Sequence, residues 1–363
     1  MEPRVALIPS DVKKIAVVRA NGMGDMIFAM PALVALRAAY PDAEIVLLAK
    51  QWHADFFCSR PGPIDRVIAI PPYPGVGAYE NVPDDRPDLD DFFQAMSREQ
   101  FDLAIQMHGG GRYSNPFVRR LGARLTAGLR TPDAIPLDRW IPYIYFQPEI
   151  VRYLETVSLV GAQPVGLEPK IAVTCNDLEA SYRSVPPDER PLVVLHPGAT
   201  DGRRRWSTAN FAAVARLLRE QGLRVVVTGS PEEDDLIQAV LQGMKTNCPG
   251  EGVSNLSLEG LVGLLSRAQL VVANDSGPLH LAGAVGVPTV GIYWCGNVIT
   301  AAPLTRARHR PVLSWRLNCP CCSRNTLRDH CDHRASFVDD IPVDEVVTHC
   351  LELLNRPAPP CRV

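Results

Sequence analysis

The chain has 363 residues, 46% of them hydrophobic and 21% charged, and a formal net charge of -3. It is globular, too long for one ordinary core and without the dominant basic surface of a general nucleic-acid binder, so two domains with only local basic patches are expected. No apolar run approaches a membrane span, the stretch holding Asp11, Lys13 and Lys14 lacks a signal-peptide layout, and ten mostly scattered cysteines do not make a disulfide framework, so a cytoplasmic protein with reduced thiols is expected.

Strand-like apolar runs alternate with amphipathic helix-like ones, the pattern of parallel sheets covered on both faces, and the expected fold class is α/β. In the first half strands are predicted near 15–19, 44–49, 66–70 and 102–107, with helices near 25–39, 51–58, 90–98 and 114–121. Between the first strand and helix lies Asn21-Gly22-Met23-Gly24-Asp25, a carboxylate on a glycine-rich turn at a helix mouth. Glycines let a ligand approach the backbone and the helix start offers unpaired N–H groups, which suits a phosphorylated or sugar ligand. Asp25 either serves that ligand or caps the helix. A dinucleotide fingerprint fits poorly: Ile27 stands where its third glycine belongs, and strand 44–49 ends in Lys50 instead of an acidic residue.

Residues 71–87 read as a long proline-rich loop. After the fourth strand, His108-Gly109-Gly110-Gly111-Arg112 leads into a helix-like segment with Arg119, Arg120 and Arg124, either a basic wall for an anionic ligand or a solvated helix face. The aromatics Trp140, Tyr143, Tyr145 and Phe146 suit either a core or interface, or contact with a membrane surface. Prolines punctuate 161–191 around one short helix-like segment. This gives a first domain over 1–165, a linker over 166–190, a second domain over 191–342 and a final helix and tail over 343–363.

The second half has strands near 192–196, 224–228, 270–274 and 289–293, with helices near 208–221, 232–242, 259–267 and 278–285. Two doubly wound halves suggest ligand binding in a crevice between them, at strand C-terminal ends. His196-Pro197-Gly198-Ala199-Thr200 precedes Arg203-Arg204-Arg205-Trp206, three guanidinium groups beside a glycine turn that either bind a diphosphate or form a solvated loop. Strand 224–228 ends in Gly229-Ser230-Pro231-Glu232-Glu233, where a carboxylate can accept from ribose hydroxyls or simply favour a helix start. Asp275-Ser276-Gly277-Pro278-Leu279-His280 puts a proline at a first helical position and Ser276-Gly277 at the helix mouth, an anion cradle.

Taken in order, G-M-G-D-x-x-x-x-x-P-A-L (22–33), H-P-G-A (196–199) with R-R-W (204–206), and N-D-S-G-P-x-H-L-A-x-A (274–284) resemble glycosyltransferase family 9, the ADP-heptose:lipopolysaccharide heptosyltransferases. The resemblance covers nearly the whole chain. It implies the GT-B architecture, two Rossmann-like domains, and inverting, metal-independent transfer of heptose from ADP-L-glycero-β-D-manno-heptose to inner-core lipopolysaccharide at the cytoplasmic face of the inner membrane. A member using another nucleotide sugar or glycosylating a protein, and a nucleotide-sugar epimerase of the same architecture, are the alternatives. Carried across by position, Asp25 is the general base and Arg204, which replaces the family's usual lysine, meets the donor phosphate. Gly24, Thr200, Arg205, Ser276 and Gly277 complete the donor side, with Asp275 near sugar hydroxyls, Glu232 (alternatively Glu233) at the ribose and His280 supporting the phosphate loop. Arg112, Arg119 and Arg120 are the acceptor-side candidates.

Near the C-terminus, Cys319-Pro320-Cys321-Cys322 and Cys331-Asp332-His333 gather four thiols beside the histidines at 330 and 333. Cys319, Cys321, Cys322 and Cys331 are the expected ligands of a structural zinc or iron ion, with free thiols or a disulfide as the competing reading.

Overall fold

Residues 15–18 and 193–195 are wholly buried runs of aliphatic side chains, and each forms the interior of a parallel sheet whose two faces are both covered. The computed structural model describes residues 7–77, 83, 85–244, 251–329 and 331–355, so parts of the 71–87 loop, His330 and the end of the tail lie outside the described residues. The chain divides into two compact units, Met1–Ala172 and Val173–Val363. The division falls inside the predicted linker, of which 173–190 belong to the second unit.

In the first unit, β1 (Lys14–Val18) leads to α1 (Met23–Ala39), β2 (Glu44–Ala49), α2 (Gln51–Phe57) and β3 (Arg66–Ala69). After α3 (Pro87–Glu99) come β4 (Leu103–Gln106), α4 (Ser114–Arg119), β5 (Leu125–Arg130), β6 (Arg139–Pro142) and α5 (Glu149–Ser158). All neighbours in the six-stranded sheet are parallel, in the order β3-β2-β1-β4-β5-β6. Its order reverses between β1 and β4, which puts the turn after β1 and the loop after β4 at the point where crossovers part to opposite faces.

The second unit opens with α6 (Cys175–Ser184), the one helix-like segment of the predicted linker. Thr174 and Asp177 cap it reciprocally, Thr174 N–H donating to Asp177 at 2.7 Å. Then follow β7 (Leu192–His196), α7 (Thr208–Glu220), β8 (Arg224–Thr228), α8 (Asp234–Gly243), β9 (Gly252–Val253), α9 (Leu258–Arg267) and β10 (Leu270–Asn274). The series ends with α10 (Gly277–Ala284), β11 (Thr289–Trp294), α11 (Cys295–Ala301), β12 (His309–Ser314) and α12 (Val343–Leu354). The sheet order β12-β11-β10-β7-β8-β9 repeats that of the first unit, with its reversal between β7 and β10. Each unit is thus a Rossmann-like doubly wound sheet, the pair of domains that the GT-B class requires.

Both sheets end on a strand carrying proline. Tyr143 N–H donates to Arg130 O and Thr289 N–H to Arg308 O, so by the alternation of a parallel ladder Pro142 and Pro311 direct their missing N–H to the open edge. A proline is tolerated there because no neighbouring strand needs the donor.

Helix α9 lies against α6 at Gly263, where an added methyl would run into the Asp177 carbonyl. Gly263→Ala is therefore expected to destabilise the chain by about 3 kcal/mol through overpacking, seen as a lower urea midpoint.

Candidate functional site

The first unit builds its site on a buried guanidinium. Arg19, immediately after β1, is 2% exposed and donates through Nη1 to Met107 O (2.7 Å), through Nε to Asp25 O (3.2 Å) and through Nη2 to Asp25 Oδ1 (3.0 Å). Its charge also lies 3.9 Å from Glu149 and over the Tyr153 ring. Helix α5 supplies both of these residues, and Glu149 is further engaged by Arg152 and the Tyr153 hydroxyl.

Asp25 occupies the third residue of α1, with Gly22 as N-cap, and its Oδ2 accepts from Gly22 N–H at 3.2 Å. It therefore satisfies a helix-start donor without being the N-cap itself. Its side chain stays 44% exposed, so the carboxylate is oriented on two sides and open to a ligand. Gly24 sits in the same first turn.

The loop after β4 faces the same end of the sheet. His108 Nδ1 accepts from Ala20 N–H (3.2 Å), and its Nε2 donates to Gly75 O (2.9 Å), which fixes the neutral tautomer. Burial, helped by the Arg19 charge, pushes His108 down to about 4. Burial does the same to His53, whose Nδ1 accepts from Lys50 N–H. Gln106 shapes the loop by donating to His108 O and Gly109 O while accepting from Leu129 N–H. Gly128 makes room for it, since a Cβ there would come 2.6 Å from that of Gln106.

In the second unit, the loops after β7, β8 and β10 and the start of α9 surround a cavity of about 420 Å³, lined by His196, Thr200, Ser230, Glu233, Leu261 and Ser276 among others. That is room for a small organic ligand. His196 donates through Nδ1 to Thr228 O (2.9 Å), its Nε2 lies 3.9 Å from Glu233, and burial holds it below the usual imidazole range despite that carboxylate. Asp275, 2% exposed, receives Arg204 on Oδ2 and contacts His280 Nε2 through Oδ1, both at 3.1 Å. Ser276 is the N-cap of α10, and its Oγ and the Tyr293 hydroxyl are buried without a hydrogen-bond partner. A buried hydroxyl left unpaired at a helix start calls for an acceptor from outside the chain.

Two further residues hold these loops in register. Asn274 accepts from Trp206 N–H (3.0 Å) and donates to Pro197 O (2.7 Å), tying the turns after β7 to the end of β10. Arg205 Nε donates to Ala199 O (2.8 Å), and Arg203 is clamped on Asp201.

Several expectations change. Glu232 is exposed, and it is Glu233 that lines the cavity, because its Oε2 accepts from Ser230 N–H (3.0 Å) and Gly198 leaves it space. Asp275 lies beneath the site as the joint between Arg204 and His280. Arg120 is committed to Asp90 (2.9 Å) and the Phe93 ring, whereas Arg112, 3.8 Å from Asp133, and Arg119 are exposed. Among the expected metal ligands, Cys321 stands apart, and His333 takes its place beside Cys319, Cys322 and Cys331. Trp140, Ile144, Tyr145 and Phe146 are between 41% and 67% exposed. No helix among the described residues is long and apolar enough to cross a membrane. Arg19, Gln106, Glu149, Tyr153 and, within its motif, Asn274 have no role assigned from the sequence; an arginine and an asparagine closing otherwise apolar strands are the signals for Arg19 and Asn274.

Residues 90–330 match the model of glycosyltransferase family 9 (heptosyltransferase). The chain is 28% identical over 317 residues to lipopolysaccharide heptosyltransferase 2 of Escherichia coli K12, covering 80% of this chain and 86% of that protein. Among solved structures it resembles a family 9 glycosyl transferase from Veillonella parvula, with a TM-score of 0.72 and 20% identity over 95% of this chain and 97% of the other. It also resembles the E. coli heptosyltransferase WaaC with ADP, with a TM-score of 0.68 and 17% identity over 94% and 99%.

Two predictions follow from the geometry. Below about 6.5 the unfolded chain protonates imidazoles that His53 and His108 keep neutral down to about 4. Stability should thus be full above pH 7 and decline between 6.5 and 4, each group removing about 2 kcal/mol at pH 5. Urea titrations at pH 5 and 7 check this, and His108→Asn should flatten the slope. Gly198→Ala places a methyl against the Glu233 carboxylate and should displace it from Ser230 N–H; a urea titration should show stability lowered by about 1.5 kcal/mol, the worth of one hydrogen bond to a charged group.

Proposed function

The chain belongs to glycosyltransferase family 9, and on that premise we propose that it transfers heptose from ADP-L-glycero-D-manno-heptose to the lipopolysaccharide inner core with inversion at the anomeric carbon. The observation that carries this reading is the mouth of α10 in the second unit, where the unpaired Ser276 hydroxyl borders the cavity and the adjacent Asp275 anchors Arg204. Such a constellation suits the diphosphate of a nucleotide sugar. The ADP of the WaaC structure supports the nucleotide, and the name of the E. coli relative supports the acceptor.

In this reading an acceptor hydroxyl attacks the anomeric carbon from the face opposite the diphosphate. Its proton passes to Asp25 as the bond to the donor phosphate oxygen breaks and ADP leaves with the electron pair. Proton transfer concerted with attack lets a carboxylate act on an alcohol. Asp25 suits the task because Arg19 and Gly22 N–H orient the carboxylate while it stays open. Arg204, which has four N–H donors beyond the one given to Asp275, takes up the charge growing on the leaving diphosphate together with Arg205, Ser276 and the first N–H groups of α10. Glu233 accepts from the ribose hydroxyls, and His280 steadies Arg204 through Asp275.

On the acceptor side, Arg112 and Arg119 offer charge to phosphates and carboxylates of the core oligosaccharide. The exposed Trp140, Ile144, Tyr145 and Phe146 form an apolar contact for the bilayer that carries the acceptor. Peripheral attachment at the cytoplasmic face of the inner membrane is part of the proposal.

Single-turnover mass spectrometry with ADP-heptose and Kdo-terminated or heptosylated lipid A tests it, with UDP- and GDP-sugars as controls. The acceptor should gain one heptose. Asp25→Asn should slow transfer about a thousandfold with ADP affinity kept, and Arg204→Ala about a hundredfold. Transfer only from another nucleotide sugar would overturn the donor, and unimpaired Asp25→Asn would overturn the base.

A further inference from the structure

Between β12 and α12 the chain folds into a short finger. Asn318 and Asn325 bridge antiparallel, Cys319 N–H donates to Arg324 O, and Ser323 N–H donates to Cys319 O, both at 2.9 Å. Ser323 takes a left-handed conformation with φ of 58°, which reverses the backbone immediately after Cys322. The turn brings Cys319 and Cys322 to one side, and the irregular segment further on adds Cys331 and His333. The three sulfurs and one imidazole nitrogen lie within 4.8 Å of one another. Ligands about 2.3 Å from a shared tetrahedral zinc stand about 3.8 Å apart, so only a small contraction separates this arrangement from a coordination shell.

We propose that Cys319, Cys322, Cys331 and His333 bind a single zinc ion, and that the ion holds in place the turn bearing Arg204. Three thiolates and an imidazole fill all four positions, which makes the site closed and structural. Cys321, which lies between the two members of the Cys-x-x-Cys pair in sequence, is exposed and outside the group.

The link to Arg204 is a short physical chain. Cys319 and Cys331 pack with Phe337 and the partly buried Trp294 in a small apolar cluster. Trp294 Nε1 donates to Arg316 O at 2.6 Å, tying β11 to the root of the finger. Phe337 N–H donates to Arg203 O, and Ser336 Oγ donates to Arg205 O, both at 2.7 Å. The guanidinium of Arg203 also lies over the Phe337 ring. The carbonyls on both sides of Arg204 are thus bound by residues that follow the last two metal ligands. The zinc site stands independently of the proposed reaction, and only its value to catalysis rests on that reading.

The test uses the full chain, with metal content by plasma mass spectrometry and nucleotide affinity by calorimetry. One zinc per chain is expected in the natural protein and in Cys321→Ser, and none in Cys322→Ser or in the Cys319→Ser/Cys331→Ser pair. Cobalt in place of zinc should give the intense visible bands of a tetrahedral thiolate site. Metal-free protein, iron in place of zinc, or zinc kept in the paired variant would overturn the assignment. Because the variants can unfold, zinc is also withdrawn from the natural protein with a chelator and then restored. ADP affinity should fall at least tenfold and recover. Unchanged affinity on removal would overturn the link to Arg204, whatever the metal content.

Discussion

Strand order reverses between β1 and β4 and again between β7 and β10, and the crossovers leaving those strands therefore part toward opposite faces of their sheets. At that parting the strand ends are left uncovered, the one place in a doubly wound sheet where a ligand can reach main-chain N–H groups and loop side chains together. Asp25 follows β1 and His108 follows β4; Thr200 follows β7 and Asp275 and Ser276 follow β10. The chemistry of each unit is thus positioned by topology, and the side chains refine a location that the strand order has already chosen.

The two units solve the placement of charge in opposite ways. In the first, the arginine is buried and the carboxylate exposed: Arg19 exchanges its hydration for Met107 O, Asp25 and the Tyr153 face. Losing one partner of such a group is costly, because the other is left charged without water. In the second, the carboxylate is buried and the arginine is partly open, with Asp275 holding Arg204 and His280 on separate oxygens. An exposed carboxylate suits a group that receives a proton, and an exposed guanidinium suits one that meets a leaving anion. The buried partner fixes direction in each case.

Most of the architecture was legible because central strands are continuous apolar runs and helix starts carry strong local signals such as Gly22, Ser207 and Pro278. What escaped was at the edges and in compromise positions. Strand β5 carries Gly128, placed there for Gln106, and β6 and β12 contain prolines that argue against a strand unless the edge is known. Helix α5 went unread because Pro148 and the aromatics before it look like a loop, and with it went Glu149 and Tyr153. The motif residues Asp25, Arg204 and Ser276 could be singled out, since glycine, proline and charge concentrate around them. The residues that hold the loops were harder to read: Arg19 and Asn274 show only as polar residues closing apolar strands, with partners as far as 88 and 77 residues away, and Gln106 meets Leu129 across 23 residues. The choice between Glu232 and Glu233 was likewise a matter of rotation about one short turn.

The outward-facing prolines at the sixth strand of each sheet bear on how crowded copies of the chain behave. An open strand edge is a template on which another chain can continue the ladder, the first step toward fibrous aggregates. Pro142 and Pro311 each remove a donor from that template and set a ring in the path of an approaching strand, while β9, at the opposite edge of the second sheet, is only two residues long. Wherever copies of the chain crowd together, these edges let the sheets pass one another without fusing.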